Sequence, residues 1–389
     1  MIKKLTQFFS PLPDKDELVE DEKKLKRLQW SFFISVTLGY GLYYVCRMSL
    51  NVVKKPLVDG GILTEQELGL VGSALFFTYA VGKLVNGFLG DRVNITRFMA
   101  TGLIISSLVN IILGFSHSFW VFAILWGVNG WVQSMGAPSS VVGLSRWFTD
   151  KERGSYYGFW SASHNIGEAI TFIATAAVVS IAGWRWGFEA AGIAGLIGAA
   201  VIIIFMKDSP TSQGLPSIIP PKEREKSAGM AQKEVLKNPY IWILALSSAC
   251  MYVSRYAINS WGIFFLENQK AYSSIEASSI VAVNSVCGII GTVLSGFLSD
   301  KLFKGNRVTP AVLFGILNTV AIAMFVLVPE GHHYLDVLSM ILFGLSIGVL
   351  ICFLGGLMAT DIAPKKASGA ALGVVGIASY IGAGIQDIL

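Results

Sequence analysis

The stretch that decides the fold is YVCRMSLN at residues 44–51, because it returns as YVSRYAIN at residues 252–259. Each copy places one arginine inside a long apolar segment, Arg47 in the first copy and Arg255 in the second. Two matching segments so far apart indicate that the chain consists of two halves of one design. The two arginines are then expected to face each other across a pseudo-two-fold axis.

Two further stretches repeat in the same order. GKLVNGFLGDR at residues 82–92 returns as GTVLSGFLSDK at residues 291–301, and the glycines of residues 154–167 return in residues 369–382. Three matches in one order indicate duplication rather than chance. The polar segment 207–238, rich in Pro, Lys and Glu, is interpreted as a cytoplasmic linker between the halves.

The composition requires lipid as the solvent for most of the surface. Hydrophobic residues make up 53% of the chain and charged residues 14%, with a mean hydropathy of +0.60, whereas a soluble protein carries about 25% charged residues. We place eleven apolar segments long enough to cross a membrane. They lie at about 28–53, 67–90, 97–115, 118–145, 154–182, 186–206, 239–266, 277–299, 308–328, 334–361 and 367–389.

Basic residues set the expected orientation. Most of the 30 lysines and arginines fall in the N-terminal segment 1–27, in the linker and in the other loops of the same side. The opposite loops hold Lys54, Lys55, Arg185 and Lys270. By the positive-inside rule, the N-terminus is expected to lie in the cytoplasm. The chain is then expected to be a multi-pass protein of the inner membrane. Topology thus explains the net charge of +5, and no nucleic-acid partner is expected.

Two parallel halves with a site near the membrane midplane are typical of major facilitator transporters. The predicted fold class is therefore an all-α membrane protein with two six-helix bundles. The N-terminal bundle spans residues 28–206 and the C-terminal bundle residues 239–389, in which only five segments are found. The repeat predicts one further helix beyond residue 389, so a twelfth helix is expected to be missing from this chain.

The two intramembrane arginines are the first candidate ligands. An arginine within a span costs about 2.5–3.5 kcal/mol on insertion scales, so a matched pair favours a ligand site. A guanidinium offers a planar fork that fits phosphate oxygens, and two forks suit a dianion. The alternative is that each arginine snorkels or pairs with an acid, although neither span has an acid within one turn of its arginine.

Polar side chains around the arginines extend the predicted site. His164 is a candidate because a neutral imidazole can donate to phosphate or gain a proton when the anion arrives. Lys83 either adds a third positive charge or forms an ion pair with Glu168, and both readings stay open. Further candidates are Tyr40, Tyr44, Tyr79, Tyr252, Asn259 and Tyr380, although packing explains any single tyrosine equally well.

The segment RGSYYGFWSASHNIG at residues 153–167 resembles a motif of the organophosphate:phosphate antiporters within the major facilitator superfamily. This family includes hexose-phosphate and glycerol-3-phosphate transporters and a membrane-bound hexose-phosphate sensor. The resemblance covers essentially the whole chain. KNPYIW at residues 237–242 and SDKLFKGNR at residues 299–307 are most similar to the hexose-phosphate branch.

The resemblance implies that Arg47 and Arg255 bind phosphate, with His164 and Lys83 as accessory site residues. Glu168 stands where the family usually has glycine, which makes this acid a candidate for ion coupling. The other departures from the family pattern are Ser161 for Asn, Met48 for Lys, and Leu372 and Val375 where the glucose-6-phosphate carrier is expected to have Asp and Lys.

Two charged loop pairs resemble the cytoplasmic loop motif of the major facilitator superfamily. They are Asp91 with Arg92 and Asp300 with Lys301. We expect them to latch the halves through ion pairs and helix ends rather than to contact cargo.

The expected function is exchange of hexose 6-phosphate or glycerol 3-phosphate for inorganic phosphate by alternating access. An empty site leaves like charges facing each other, which disfavours closure until an anion arrives. One alternative is a receptor for external sugar phosphate that signals to a membrane kinase, and another is a proton symporter that uses Glu168 and His164. An enzyme would need a nucleophile or a metal cluster that these residues do not provide, so no enzyme activity, cofactor or metal is expected.

Overall fold

The computed structural model describes residues 7–13, 15, 18–90, 93–148, 150–216, 234–297, 302–303, 306–362 and 368–388. These residues form helices joined by short loops, and no β-strand occurs among them. The helices are α1 Glu22–Asp59, α2 Glu65–Gly90, α3 Ile95–Gly114, α4 Phe119–Gln133, α5 Gly136–Trp147, α6 Asp150–Ile170, α7 Ala176–Ala182, α8 Trp184–Phe205, α9 Pro239–Gln269, α10 Ser274–Phe297, α11 Val308–Leu327, α12 His333–Cys352, α13 Met358–Ile362 and α14 Ser368–Ile388.

Local sequence signals explain where several helices begin. The Asp21 side chain accepts from the backbone N–H of Lys24 at the start of α1, and Asn94 caps α3 in the same way. Asn238 caps α9, with Pro239 at the first helical position, where its missing N–H leaves no bond unmade. A π-helical turn, Thr171–Thr175, joins α6 to α7, and a second, Phe353–Leu357, joins α12 to α13.

The helices largely coincide with the predicted apolar segments, with differences in the first segment and in the segment at 118–145. Helix α1 continues past residue 53 to Asp59, so Lys54 and Lys55 lie inside the helix, and Lys54 is fully buried. The prediction that these two lysines belong to a loop is therefore wrong. Seven helical stretches in the described part of the chain are long and apolar enough to cross a membrane by length and composition. The segment predicted at 118–145 is divided between α4 and α5.

The outer surface suits contact with lipid. Ile181 and Val293 are 88% and 73% exposed, and many other large apolar side chains also lie on the surface. Trp120 and Tyr334 are exposed in the first turns of α4 and α12. Aromatic side chains at helix ends are enriched where a bilayer meets water, so the surface agrees with a protein that spans a membrane several times.

Helices of the two predicted halves meet along three lines of contact. Helix α1 packs against α9, α2 against α14, and α6 against α10. One continuous hydrophobic core crosses these contacts and includes Tyr44 and Tyr79 from the first half together with Tyr256 and Tyr380 from the second. The polar candidates of both halves are thereby brought to one interface.

A glycine of α2 accommodates a side chain of α14. A Cβ added at Gly72 would overlap the carboxylate of Asp387, whereas one added at Gly373 of the same helix pair would meet nothing within 4 Å. The missing side chain of Gly72 therefore leaves room for an acid near the end of α14.

The start of the predicted linker is fixed to the first half. Asp208 is buried and forms an ion pair with Arg146 at 2.7 Å. The same carboxylate oxygen accepts from the backbone N–H of Ile95 at 2.9 Å. Asp208 thus ties the end of α5, the start of α3 and the chain after α8 together at the predicted cytoplasmic end.

Candidate functional site

Arg47 lies deep in the interface on α1 and is 4% exposed. Its guanidinium carbon is 4.2 Å from the ring centroid of Tyr79 and 5.6 Å from that of Tyr380. Such cation–π contacts stabilise a desolvated guanidinium without using its N–H donors. Among the described residues, Nε and Nη2 of Arg47 have no hydrogen-bond partner. Arg47 is thus a buried cation with donors available to a ligand.

Tyrosines from both halves surround this cation. Tyr79 and Tyr380 have ring centroids 4.5 Å apart, and Tyr380 lies 5.3 Å from Tyr252. Tyr44 places its ring 5.5 Å from the Arg47 guanidinium carbon. We call these residues, with Tyr256, the tyrosine cluster. Its rings contact both arginines, because Tyr79 lies against Arg47 and Tyr256 lies near Arg255.

Arg255 occupies the other side of the interface and has an acidic partner. Its Nη2 lies 3.6 Å from Oε2 of Glu168, and the two side chains are 7% and 1% exposed. The other Glu168 oxygen accepts a hydrogen bond from the Asn259 amide. The Asn284 amide in turn donates to Asn259 Oδ1 at 3.1 Å. Glu168, which lies on α6, therefore pairs with Arg255 of α9. Asn259 and Asn284 extend this contact as a chain of hydrogen bonds.

The two arginines consequently differ in their surroundings, although the repeat makes them equivalent. Arg47 has aromatic neighbours and unmet donors, whereas Arg255 is paired with Glu168. The alternative in which an arginine pairs with an acid thus applies to Arg255, with the acid supplied by another helix. Glu168 belongs to Arg255 here rather than to Lys83, whose Nζ lies 5.0 Å from the Tyr380 ring centroid.

The repeat-related asparagines Asn51 and Asn259 contact each other. The Asn51 amide donates to the backbone carbonyl of Asn259 at 2.9 Å. Because these residues are equivalent in the two copies of the repeat, their contact lies where α1 crosses α9. This agrees with the expected pseudo-two-fold relation.

The remaining predicted residues lie around the tyrosine cluster. His164 is half-buried, with its ring centroid 5.5 Å from that of Tyr44. Tyr40 packs against Trp160 at 4.7 Å between ring centroids.

Val375 is buried in a separate apolar cluster with residues of α9 and α13. The loop residues Asp91, Arg92, Asp300 and Lys301, and the side chains of Ser161 and Leu372, lie outside the described residues.

Several site residues were not predicted from the sequence. Tyr256 packs against Phe76 at 4.5 Å between ring centroids, and its own ring centroid lies 5.6 Å from the Arg255 guanidinium carbon. Its position directly after Arg255 in the repeat was the available signal. Asn284 carried no signal, because nothing in the sequence of α10 marks it as a neighbour of Asn259.

A small cavity of about 10 Å³ opens beside Arg47 on the side of Asp387. This is about the space that one water molecule needs. Its polar lining comes from Arg47, Asn51, Ser260 and Asp387. The cavity therefore has both Arg47 and Asp387 in its wall, with apolar residues such as Leu75 and Phe76 beside them.

Comparison with known families agrees with this architecture. Residues 36–386 match the Major Facilitator Superfamily, and the chain belongs to this family. The predicted family and the all-α membrane fold are confirmed. The members compared below are membrane transport or sensor proteins, which agrees with the expectation that the chain is not an enzyme.

Curated relatives cover most of the chain. The membrane sensor protein UhpC of Salmonella typhimurium is 34% identical over 91% of this chain and 82% of its own length. A probable hexose phosphate transport protein of Chlamydia pneumoniae is 34% identical over 97% of this chain and 88% of its own length. The glycerol-3-phosphate transporter of Bacillus subtilis is 32% identical over 97% and 89%, respectively.

Solved structures share the fold at lower identity. A bacterial homolog of the human lysosomal transporter Spinster, in an inward-facing and unoccupied conformation, matches with a TM-score of 0.79 and 21% identity over 93% of this chain and 82% of that chain. The nucleoside transporter NupG matches with a TM-score of 0.71 and 15% identity over 93% and 90%. At these identities the match concerns the fold alone.

Proposed function

We propose that the protein is an inner-membrane carrier that exchanges hexose 6-phosphate or glycerol 3-phosphate for inorganic phosphate by alternating access. The observation that carries this proposal is the unmet pair of donors on buried Arg47, at an interface formed by both halves of the chain. A phosphate group supplies the acceptors that this guanidinium lacks. The sugar-phosphate relatives support the same class of cargo.

The tyrosine cluster gives the site its selectivity in this proposal. Phenolic hydroxyls donate hydrogen bonds to phosphate oxygens or to hydroxyls of the organic part. Among the described residues, the hydroxyl of buried Tyr256 has no hydrogen-bond partner, so it is available for this role. His164 and Lys83 lie at the edge of the cluster, where they add donors or positive charge for the organic part of the ester.

Glu168 acts in this proposal as the internal counter-anion of the empty site. It neutralises Arg255 when no phosphate is present, and an arriving phosphate competes with it. The charge repulsion expected of an empty site is thereby reduced, because Glu168 neutralises one of the two arginines. We therefore expect rapid exchange together with a slower return of the empty carrier.

The proposed orientation places the N-terminus and the linker in the cytoplasm, following the distribution of basic residues. The α1–α2 loop, the α9–α10 loop and the end of α14 then lie outside. Contacts between the halves lie toward this outer side, as Ser73 of α2 donates to the Gly384 carbonyl of α14 at 2.7 Å. This arrangement corresponds to a carrier that is closed to the outside.

A sensor is the second candidate function, favoured by the similarity to UhpC membrane sensor proteins of two bacteria. In that case the same residues bind an external sugar phosphate, and the bound state signals to a membrane partner such as a kinase. Binding without exchange would distinguish the sensor from the carrier.

The test is uptake of radiolabelled inorganic phosphate into proteoliposomes that contain either phosphate or an inert anion. The variants are Arg47→Lys and Arg255→Lys, which keep the positive charge but lose the planar guanidinium that can bind phosphate through two parallel hydrogen bonds. Arg185→Lys, at an exposed position, is the matched control. We expect exchange that needs internal phosphate, competes with glucose 6-phosphate or glycerol 3-phosphate, and falls at least about tenfold in both site variants. Retention of exchange in both site variants would refute the proposed site.

A further inference from the structure

A second buried cation lies on α1, outside the site described above. Lys54 is 0% exposed, and within the described part of the chain its Nζ has no hydrogen-bond partner. An ammonium carries three donors and is costly to bury without partners. Such a group is poised for a ligand that supplies several acceptor oxygens.

An aromatic residue of the second half lies against this ammonium. Its Nζ lies 3.7 Å from the ring centroid of Trp261 on α9. The Trp261 indole N–H donates to Oδ1 of Asp387 on α14 at 3.0 Å. Asp387 is buried, and Trp261 therefore contacts both the Lys54 ammonium and the Asp387 carboxylate. Lys54, Trp261 and Asp387, here called the outer cluster, thus join α1 to both α9 and α14.

The outer cluster is continuous with the arginine site. Arg47, Asn51 and Lys54 are spaced by four and three residues, so they follow one face of α1. Seven residues of helix rise about 10 Å, which sets the distance along α1 from Arg47 to Lys54. The small cavity beside Arg47 extends to Asp387. Asp387 therefore belongs both to the lining of this cavity and to the outer cluster.

We propose that Lys54 is an outer phosphate-binding subsite whose counter-ion in the closed state is Asp387. The inference rests on the proposed carrier function and orientation, because it places Lys54 on the external side of Arg47. When α14 moves away from α1, the Lys54 ammonium loses Asp387 and receives the phosphate group of an entering anion. The anion then passes inward to Arg47, and Asp387 returns to Lys54 as the outer side closes.

This subsite recognises a phosphate group, whether on inorganic phosphate or on a phosphate ester. Lysine binds phosphate as a point charge with rotatable donors and holds it less rigidly than two arginine forks would. Such a residue suits a transit position, where binding must be followed by release. Asp387 supplies the competing charge that makes release favourable.

The test compares Lys54→Gln, Lys54→Arg and Asp387→Asn in the full-length protein. Exchange of radiolabelled inorganic phosphate is measured in right-side-out and inside-out membrane vesicles, with glucose 6-phosphate as a competitor in each. We expect Lys54→Gln to raise the external KM about tenfold and to leave the internal KM within about twofold. Lys54→Arg keeps the charge and should stay near wild type. Asp387→Asn removes the competitor and should lower the external KM.

The competitor separates the two sources of the phosphate group. An equal rise of the external KM for phosphate and of the inhibition constant for glucose 6-phosphate indicates a subsite shared by both. A rise for only one of them assigns the subsite to that anion.

A purely structural outer cluster gives a different pattern. Lys54→Gln and Asp387→Asn would then both lower the maximal rate and leave KM equal on the two sides, which overturns the proposal. Thermal unfolding of each variant in detergent checks that it folds. The rate of phosphate association with purified protein gives a second readout, in which Lys54→Gln should slow binding about tenfold. Since this readout needs no exchange, absence of exchange in the wild type would count against the carrier function alone.

Discussion

Replacing Glu168 by Gln tests the proposed counter-anion directly. At 3.6 Å, Coulomb's law with an effective dielectric constant of 20 gives about 5 kcal/mol for the attraction between Glu168 and Arg255. Desolvation offsets much of that energy. The lower end of coupling energies for close charge pairs, about 1.5 kcal/mol, corresponds to roughly tenfold in a binding constant. We therefore expect phosphate to bind Glu168→Gln about tenfold more tightly than it binds wild type.

The substitution also changes transport in a defined direction. Glutamine keeps an oxygen that can accept from the Asn259 amide, so the loss is chiefly that of charge. Without the internal counter-anion, the empty site carries two unpaired arginines, and its return across the membrane becomes less favourable. Net phosphate efflux into phosphate-free medium should fall relative to phosphate exchange. Equilibrium binding to purified protein and both fluxes from loaded proteoliposomes are the measurements.

Glu168→Asp is the matched control, because it keeps the negative charge on a side chain shorter by one methylene. Its phosphate affinity should be closer to that of wild type than the affinity of Glu168→Gln is, and it should retain net efflux. The reasoning is refuted if Glu168→Gln binds phosphate no more tightly than wild type, or if its ratio of net efflux to exchange is unchanged.

Three further predictions follow from the packing outside the arginine site. Gly69→Ala places a methyl group against the backbone carbonyl of Asp387, where α2 touches α14, and should abolish most exchange, whereas Gly373→Ala, which meets nothing within 4 Å, should retain it. Asp208→Asn breaks a buried ion pair and should destabilise the protein by about 3 kcal/mol, seen as a lower thermal unfolding midpoint in detergent. Burial and a hydrogen bond to Asp336 raise the pKa of Tyr272, in the α9–α10 loop, to about 12. Its contribution to stability is then present below pH 10 and lost between pH 10 and 12, so the difference in unfolding midpoint between wild type and Tyr272→Phe should shrink across that interval.

Much of the site was predictable because the repeat carries chemical information. A charged residue in an apolar span is costly, and its recurrence at equivalent positions indicated a paired function for Arg47 and Arg255. Helical spacing then identified Tyr44 and Asn259 as neighbours. These inferences need only the period of a helix and the cost of burying a charge.

The sequence by itself determined the class of fold, because apolar segments of membrane-spanning length and an internal repeat leave few other architectures. Only the tertiary structure decided how the charges are paired. Glu168 reaches Arg255 from another helix, and Asp387 shares its neighbour Trp261 with Lys54 although 333 positions separate them in the numbering. Such partners are set by the packing of helices distant in sequence, which periodicity along a single helix does not specify. The structure therefore pairs Arg255 with an acid and leaves donors of Arg47 without hydrogen-bond partners among the described residues, whereas the repeat had predicted two equivalent arginines.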